Sequence, residues 1–232
     1  MMRSLLLAVG LSVLPCIAAF SQSLDEERLA EQLLKKPESA KALEFVLKKP
    51  DEHSAVVLYS AALTALGAKR LEDSAFLYYT AQLRSRFDRA CFPPKRESEL
   101  ALEASLNSMC GGEINAAVMG EPKVFAKVYA RVAKWTPKAP SGYRPPYEFV
   151  QRKSEKDSLE ATKAKRKEYI DTMSGLSTLL NDAEYFAAFR VSQAYNVTRG
   201  EKRPTKETRD NAVETMKRIE TDKGIKGIIG LQ

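Results

Sequence analysis

The chain has 232 residues, 37 Lys and Arg against 30 Asp and Glu for a net charge of +7, one histidine and three cysteines. With His53 as its only imidazole and no G-x-S-x-G, G-x-x-x-x-G-K or H-E-x-x-H run, it lacks the residue sets of the common hydrolases, P-loop enzymes and zinc proteases. The positive excess belongs to the second half, where Glu121 onward carries 23 Lys and Arg against 15 Asp and Glu, so attraction to anionic partners is expected there.

Met1-Met2-Arg3, the apolar run from Ser4 to Phe20 and the small residues Ala18, Ala19 and Ser21 have the layout of a secretory leader over 1–21. Pro15 interrupts a run that is marginal for the ~20 apolar residues of a membrane span. The same proline occupies the place before Cys16 where lipoprotein processing wants a small residue. No second long apolar run follows. The mature chain, 22–232, is therefore expected to be exported, soluble and long enough for one domain with a substantial core.

Two short amphipathic helices are predicted at Leu24 to Lys36 and Glu38 to Lys49, punctuated by Pro37 and Pro50. A third spans about Asp51 to Leu66 and ends on Gly67. The long helix that follows, Leu71 to Cys91, carries Phe76, Tyr79, Thr80, Leu83 and Phe87 on one face and Tyr78, Gln82, Arg86 and Arg89 on a stripe beside it. That much ring surface has to be buried, which predicts a central position. The third and fourth helices, with Ala61-Ala62-Leu63 facing Asp73-Ser74-Ala75 across Gly67, resemble a tetratricopeptide-type helical hairpin. No second copy follows at a ~34-residue period, so an array is not expected.

Pro93-Pro94 closes the central helix, and Ser98 to Met109 reads as another, with Leu102, Leu106 and Met109 inward. Gly111-Gly112 is expected to break it before a short helix from Ile114 to Met119. Glu121 to Trp135 is strongly amphipathic, with Val124, Phe125, Val128, Tyr129, Val132 and Trp135 inward. Residues 135–149 hold Pro137, Pro140, Pro145 and Pro146 among Trp135, Tyr143, Tyr147 and Phe149, which predicts an ordered loop packed on the helices. Basic helices follow over 154–222, at Ser154 to Leu180, Asp182 to Tyr195 and Lys206 to Asp222, and then a glycine-rich flexible tail, 223–232. No alternating strand pattern occurs. The expected fold is all-α, a single globular multi-helix domain.

Once the leader is removed, Cys91 and Cys110 remain, and in an oxidising compartment such a pair is expected to form a disulfide; two buried free thiols are the alternative. No metal site and no cofactor is expected from so few ligands. Carboxylate pairs such as Glu99 and Glu103 read as solvated helix faces rather than acid–base machinery.

Tyr78, Gln82, Arg86 and Arg89, with Tyr143 from the loop, make the sharper candidate site, because grouped arginines beside aromatics can grip a carboxylate or phosphate. The internal alternative pairs Arg84 with Asp88 at i,i+4 and Arg86 with Glu99 or Glu103. Lys163, Lys165, Arg166 and Lys167 form a basic stripe that could meet polyanions. Interleaved Glu160, Glu168 and Asp171, and the lack of aromatics for base stacking, argue for a solvated face and against nucleic acid.

Tyr79-x-x-Gln82-Leu83-Arg84-x-Arg86, Leu106-Asn107, Gly111-Gly112-Glu113-Ile114-Asn115 and the Trp135…Pro140…Gly142-Tyr143 loop together resemble a family of uncharacterised bacterial exported helical proteins, over Leu58 to Phe149. The resemblance implies a periplasmic setting and no particular activity. The expected function is a non-enzymatic partner-binding protein of the bacterial envelope, such as a toxin immunity or inhibitor protein. The second expectation is a periplasmic small-molecule or phosphate-binding protein, or weak hydrolase, with its cleft at Tyr78, Gln82, Arg86 and Tyr143.

Overall fold

The computed structural model describes residues 26–35, 39–198 and 200–225. The leader, the Pro37 break and the end of the tail lie outside the described residues. Helices α1 (26–34), α2 (Ser39–Lys48), α3 (Ala55–Gly67), α4 (Leu71–Cys91), α5 (Ala101–Met119), α6 (Pro122–Lys134), α7 (Glu155–Leu180), α8 (Ala183–Val197) and α9 (Lys206–Asp222) follow in order, with no strand among the described residues.

α4 packs against α3, α5, α6 and α7, and fourteen of its 21 residues are buried, with only the Gln82, Arg86 and Arg89 stripe and the helix ends reaching water. A helix that carries this much ring and aliphatic surface has to be largely enclosed. α3 lies along it as the other arm of a hairpin, close enough for Ser74 Oγ to donate to the Ala62 carbonyl at 2.9 Å. The hairpin is part of the globular bundle, with α5 packed against both of its arms and α6 against α4. α8 and α9 pack on each other, where Tyr185 donates to the buried Glu220 carboxylate at 3.0 Å. Side-chain caps start four helices: Ser54, Ser154, Asp182 and Thr205 each accept from the backbone N–H three residues on.

The loop after α6 is fastened at several points. Tyr143 is buried, Tyr147 donates to the Phe92 carbonyl at 3.0 Å, and the Phe92 ring meets Tyr143 and Phe149 edge-on at 5.7 and 5.1 Å. A two-residue antiparallel bridge joins Pro94 to Phe149. These residues form a second small core around Phe87, Cys91 and Phe92.

Several local expectations are corrected. Residues 50–52 form a 3₁₀ turn and α3 begins only at Ala55, because Glu26 reaches over from α1. Its carboxylate takes His53 Nδ1 at 2.9 Å and the Ser54 N–H at 2.9 Å, and the histidine is buried there. α3 does end on Gly67, and the left-handed residue that follows is Lys69, at φ 60°. α5 runs unbroken through Gly111-Gly112, and its Leu102 and Met109 face solvent while Leu106 is buried.

The disulfide is corrected too: both thiols are free and buried. α5 runs antiparallel to α4, with Glu103 meeting Ser85, Asn107 meeting Gln82 and Gly111 against Tyr78. Cys110 therefore lies level with Tyr78, ~20 Å along the axis from Cys91 by helix rise, far beyond the ~7 Å Cα reach of a disulfide. Cys91 Sγ instead donates to the Lys153 carbonyl at 3.3 Å and Cys110 Sγ to the Tyr59 carbonyl at 3.7 Å.

The Glu26–His53 clasp has a pH signature. Burial pushes the Glu26 carboxyl up, but the His53 hydrogen bond and charge and the Ser54 N–H outweigh it, leaving it below its ordinary value. A depressed carboxyl stabilises the fold above its unfolded value, about pH 4.3, and that contribution is lost as pH falls through the folded value. Glu26→Gln is expected to cost about 2 kcal/mol at neutral pH and to flatten this part of the pH dependence. Denaturant melts of both proteins between pH 3 and 7 check it; parallel curves would refute the clasp.

Candidate functional site

α4 presents Tyr78, Gln82 and Arg86 one turn apart, and α7 runs antiparallel beside it, since Lys153 N donates to the Cys91 carbonyl while Tyr169 reaches Gln82. Between them opens a cleft of about 530 Å³. Three of the residues singled out on α4 meet there; Asn115, Lys165 and Tyr169 join them. Gln82 and Arg86 also line a smaller hollow of about 320 Å³ on the α5 side, with Arg89 and Glu103.

The polar groups are aligned by one another. Tyr169 donates to Gln82 Oε1 at 2.7 Å, Gln82 Nε2 donates to the Tyr78 hydroxyl at 2.8 Å and to Asn107 Oδ1 at 3.0 Å, and Tyr79 donates to Asn115 Oδ1 at 2.8 Å. Burial raises the Tyr78, Tyr79 and Tyr169 phenols above their usual range. They stay protonated at neutral pH and act as hydrogen-bonding groups, not as bases. Burial likewise pushes the Cys110 thiol up to about 12, which removes its nucleophilic form.

Arg86 is the group left open. Its guanidinium carbon stands 4.6 Å from the centre of the Tyr169 ring, and its Nη1, shielded from water, has no hydrogen-bond acceptor. No described carboxylate lies within ion-pair reach of it; Glu103, one of its expected partners, takes Arg89 at 3.2 Å and Ser85 instead, and Glu99 pairs with Arg96. A ring face offsets only part of the cost of an unanswered guanidinium nitrogen.

Arg84 differs in having its counter-charge, although its Nη2 is likewise buried without an acceptor. It is fully buried and its Nε lies 2.9–3.0 Å from both Asp88 oxygens; Nη1 donates to the Asp51 and Lys138 carbonyls at 3.0 and 2.7 Å. Tyr143 belongs to this cluster, donating to Asp88 at 2.8 Å. Positions two apart on a helix point about 200° apart, so Arg84 and Asp88 face away from Gln82 and Arg86, and Tyr143 is not a cleft residue.

The basic stripe divides in the same way. Lys163 pairs with Glu160 at 3.3 Å and Lys167 with Asp171, both in solvent. Arg166 donates to the Ala133 and Trp135 carbonyls at 2.9 and 2.8 Å, closing the end of α6. Lys165 alone of the four lines the cleft. Tyr169 is the cleft residue the sequence reading passed over. Its one signal is an aromatic placed four residues after Lys165 in an otherwise charged stretch.

A larger hollow, about 680 Å³, opens between α1, α2 and Pro140. Its buried polar side chains, Glu26 and His53, answer each other. No described group of three or more His, Cys, Asp or Glu could hold a metal, and no described helix is long and apolar enough to cross a membrane. No family model, curated protein or solved structure matches the chain.

Proposed function

We propose that this chain is a non-enzymatic binding protein of the bacterial envelope that takes a small anionic ligand in the cleft between α4 and α7. The observation that carries this is Arg86, a half-buried guanidinium on the cleft wall with no carboxylate partner and with Nη1 unanswered. A carboxylate or phosphate oxygen in the cleft would supply the counter-charge that the Arg86 guanidinium lacks, and Tyr78, Gln82 and Tyr169 are already hydrogen-bonded into a fixed frame. The envelope setting rests on the leader read in the sequence.

Calorimetric titration of the full chain with inorganic phosphate and with acetate at low salt is the test. One saturable site is expected, and Arg86→Met should lower affinity tenfold or more, consistent with ~1.5–3 kcal/mol for a hydrogen bond to a charged group. The same substitution should leave the thermal midpoint unchanged or raise it, since it removes an unpartnered charge. Binding that survives in Arg86→Met defeats the proposal.

A second reading, an immunity or inhibitor protein with a macromolecular partner, is favoured by Leu102 and Met109, which lie 56% and 63% exposed two turns apart on α5. Replacing both with Glu should abolish such a complex and leave anion binding intact.

A further inference from the structure

The cleft's two ends differ in chemistry. At the end where α7 passes Arg86, the second cation is Lys165, for which no described carboxylate lies within ion-pair reach. One turn on, the Tyr169–Gln82 hydrogen bond crosses the middle. Beyond it α4 has reached Tyr79, whose ring meets Phe125 edge-on at 6.2 Å, and the lining becomes Met119, Phe125, Met173 and Leu176. Arg86 and Tyr79 are ~10 Å apart along the helix axis by their rise, so charge and oil are separated by roughly the length of a short chain. The tail end is soft as well as apolar, since two of its four side chains are unbranched methionines that adapt to what they cover.

Resting on the anion-binding reading above, we propose that the cleft is a head-to-tail site for an amphipathic anion, with a carboxylate or phosphate ester held by Arg86 and Lys165 and an aliphatic or aromatic body lying along Met119, Phe125, Met173 and Leu176. A free inorganic anion uses half of such a cleft and leaves uncovered the apolar end, where Met119 is half-buried over the buried Phe125, Met173 and Leu176. A neutral apolar molecule uses the other half and leaves the Arg86 guanidinium without a counter-charge. Only a ligand with both parts satisfies both ends, and the gain from covering apolar lining adds to the charged contact. Glu168, also on the lining, leaves the three charged side chains of the cleft with one net positive charge. It sits in solvent and disfavours a second anionic group on the ligand.

The test is calorimetric titration of the full chain with octanoate, octyl phosphate, acetate, inorganic phosphate, octanol and phenylalanine under one buffer condition. Octanoate and octyl phosphate are expected to bind at least tenfold more tightly than acetate, phosphate and octanol, and whichever of the two wins identifies the head group. Lys165→Gln should weaken the preferred octyl ligand three- to tenfold with an unchanged thermal midpoint. Met119→Gln, at a half-buried position, should remove most of the advantage of the eight-carbon ligands and leave acetate and phosphate as they were. Equal binding of short and long anions overturns the amphipathic assignment while the anion site at Arg86 stands. Phenylalanine binding more tightly than octanoate overturns it in favour of a zwitterion bridging Arg86 and Glu168. Failure of every anion to bind removes both proposals together.

Discussion

Asp88→Ala is expected to destabilise the fold by about 3–5 kcal/mol, the cost of leaving a buried charge without its partner. Arg84 is fully buried, and its guanidinium is held charged by Asp88 and Tyr143 against the pull of burial. Burial pushes the Asp88 carboxyl up to about 6, opposed by the charge and hydrogen bonds of Arg84 and by the Tyr143 hydroxyl, so at neutral pH the pair is ionic. Remove the carboxylate and Arg84 keeps two backbone carbonyls but loses its counter-charge, while Tyr143 loses its acceptor. Arg84→Met should cost a similar amount from the other side.

The double change Arg84→Met with Asp88→Leu is expected to recover much of that loss, because neither charge then needs an answer. Guanidinium unfolding of the wild type, both single variants and the double variant forms the cycle that checks it. Additive losses would mean that the pair is not coupled. The linkage of Asp88 runs opposite to that of Glu26. A carboxyl whose folded value is raised adds stability at low pH that is lost as pH rises from about 4 to about 6. The two groups therefore pull the acid limb in opposite directions, and Glu26→Gln unmasks the Asp88 component.

Gly111→Val is the second large effect, expected at about 3 kcal/mol of destabilisation, the upper part of the range for overpacking. A Cβ at Gly111 would lie 2.7 Å from the Tyr78 hydroxyl and 3.5 Å from its ring carbon. The ring has little room to retreat, with Tyr59 and Tyr79 packed on it at 6.0 and 5.2 Å. The hydroxyl would be driven off Gln82, so the variant should also lose cleft affinity, about tenfold if one charge-aligning hydrogen bond's worth of order is lost.

The neighbouring glycine is the control. Nothing lies within 4 Å of a Cβ at Gly112, which is exposed on the same helix. Gly112→Ala should therefore gain about 1 kcal/mol, the ordinary helix-interior difference between the two residues. Thermal melts of the two variants side by side decide the matter, and equal responses would show that the close approach at Gly111 carries no weight.

Much of this was legible in the chain. The all-α class and the boundaries of α4, α6, α7 and α9 follow from apolar periodicity, prolines and caps, which act within a few residues of each other. The central position of α4 follows from its burden of rings, and the Arg84–Asp88 pair from i,i+4 spacing. The α4 side of the cleft was readable for the same reason, since Tyr78, Gln82 and Arg86 follow at successive turns of one helix.

What spacing within one segment determined, then, is the helical composition of this protein and which side chains of α4 share a face. Only the tertiary structure decided what those faces meet. Tyr169 reaches Gln82 across 87 positions of sequence, Tyr143 joins Asp88 from the opposite side of α4, and Cys110 ends level with Tyr78 instead of Cys91. Each of these depends on the register between helices, a balance of burial summed over whole interfaces that no single segment carries. The same balance overrides the ~1 kcal/mol that each glycine costs a helix, which is why α5 continues through a pair that reads locally as its end.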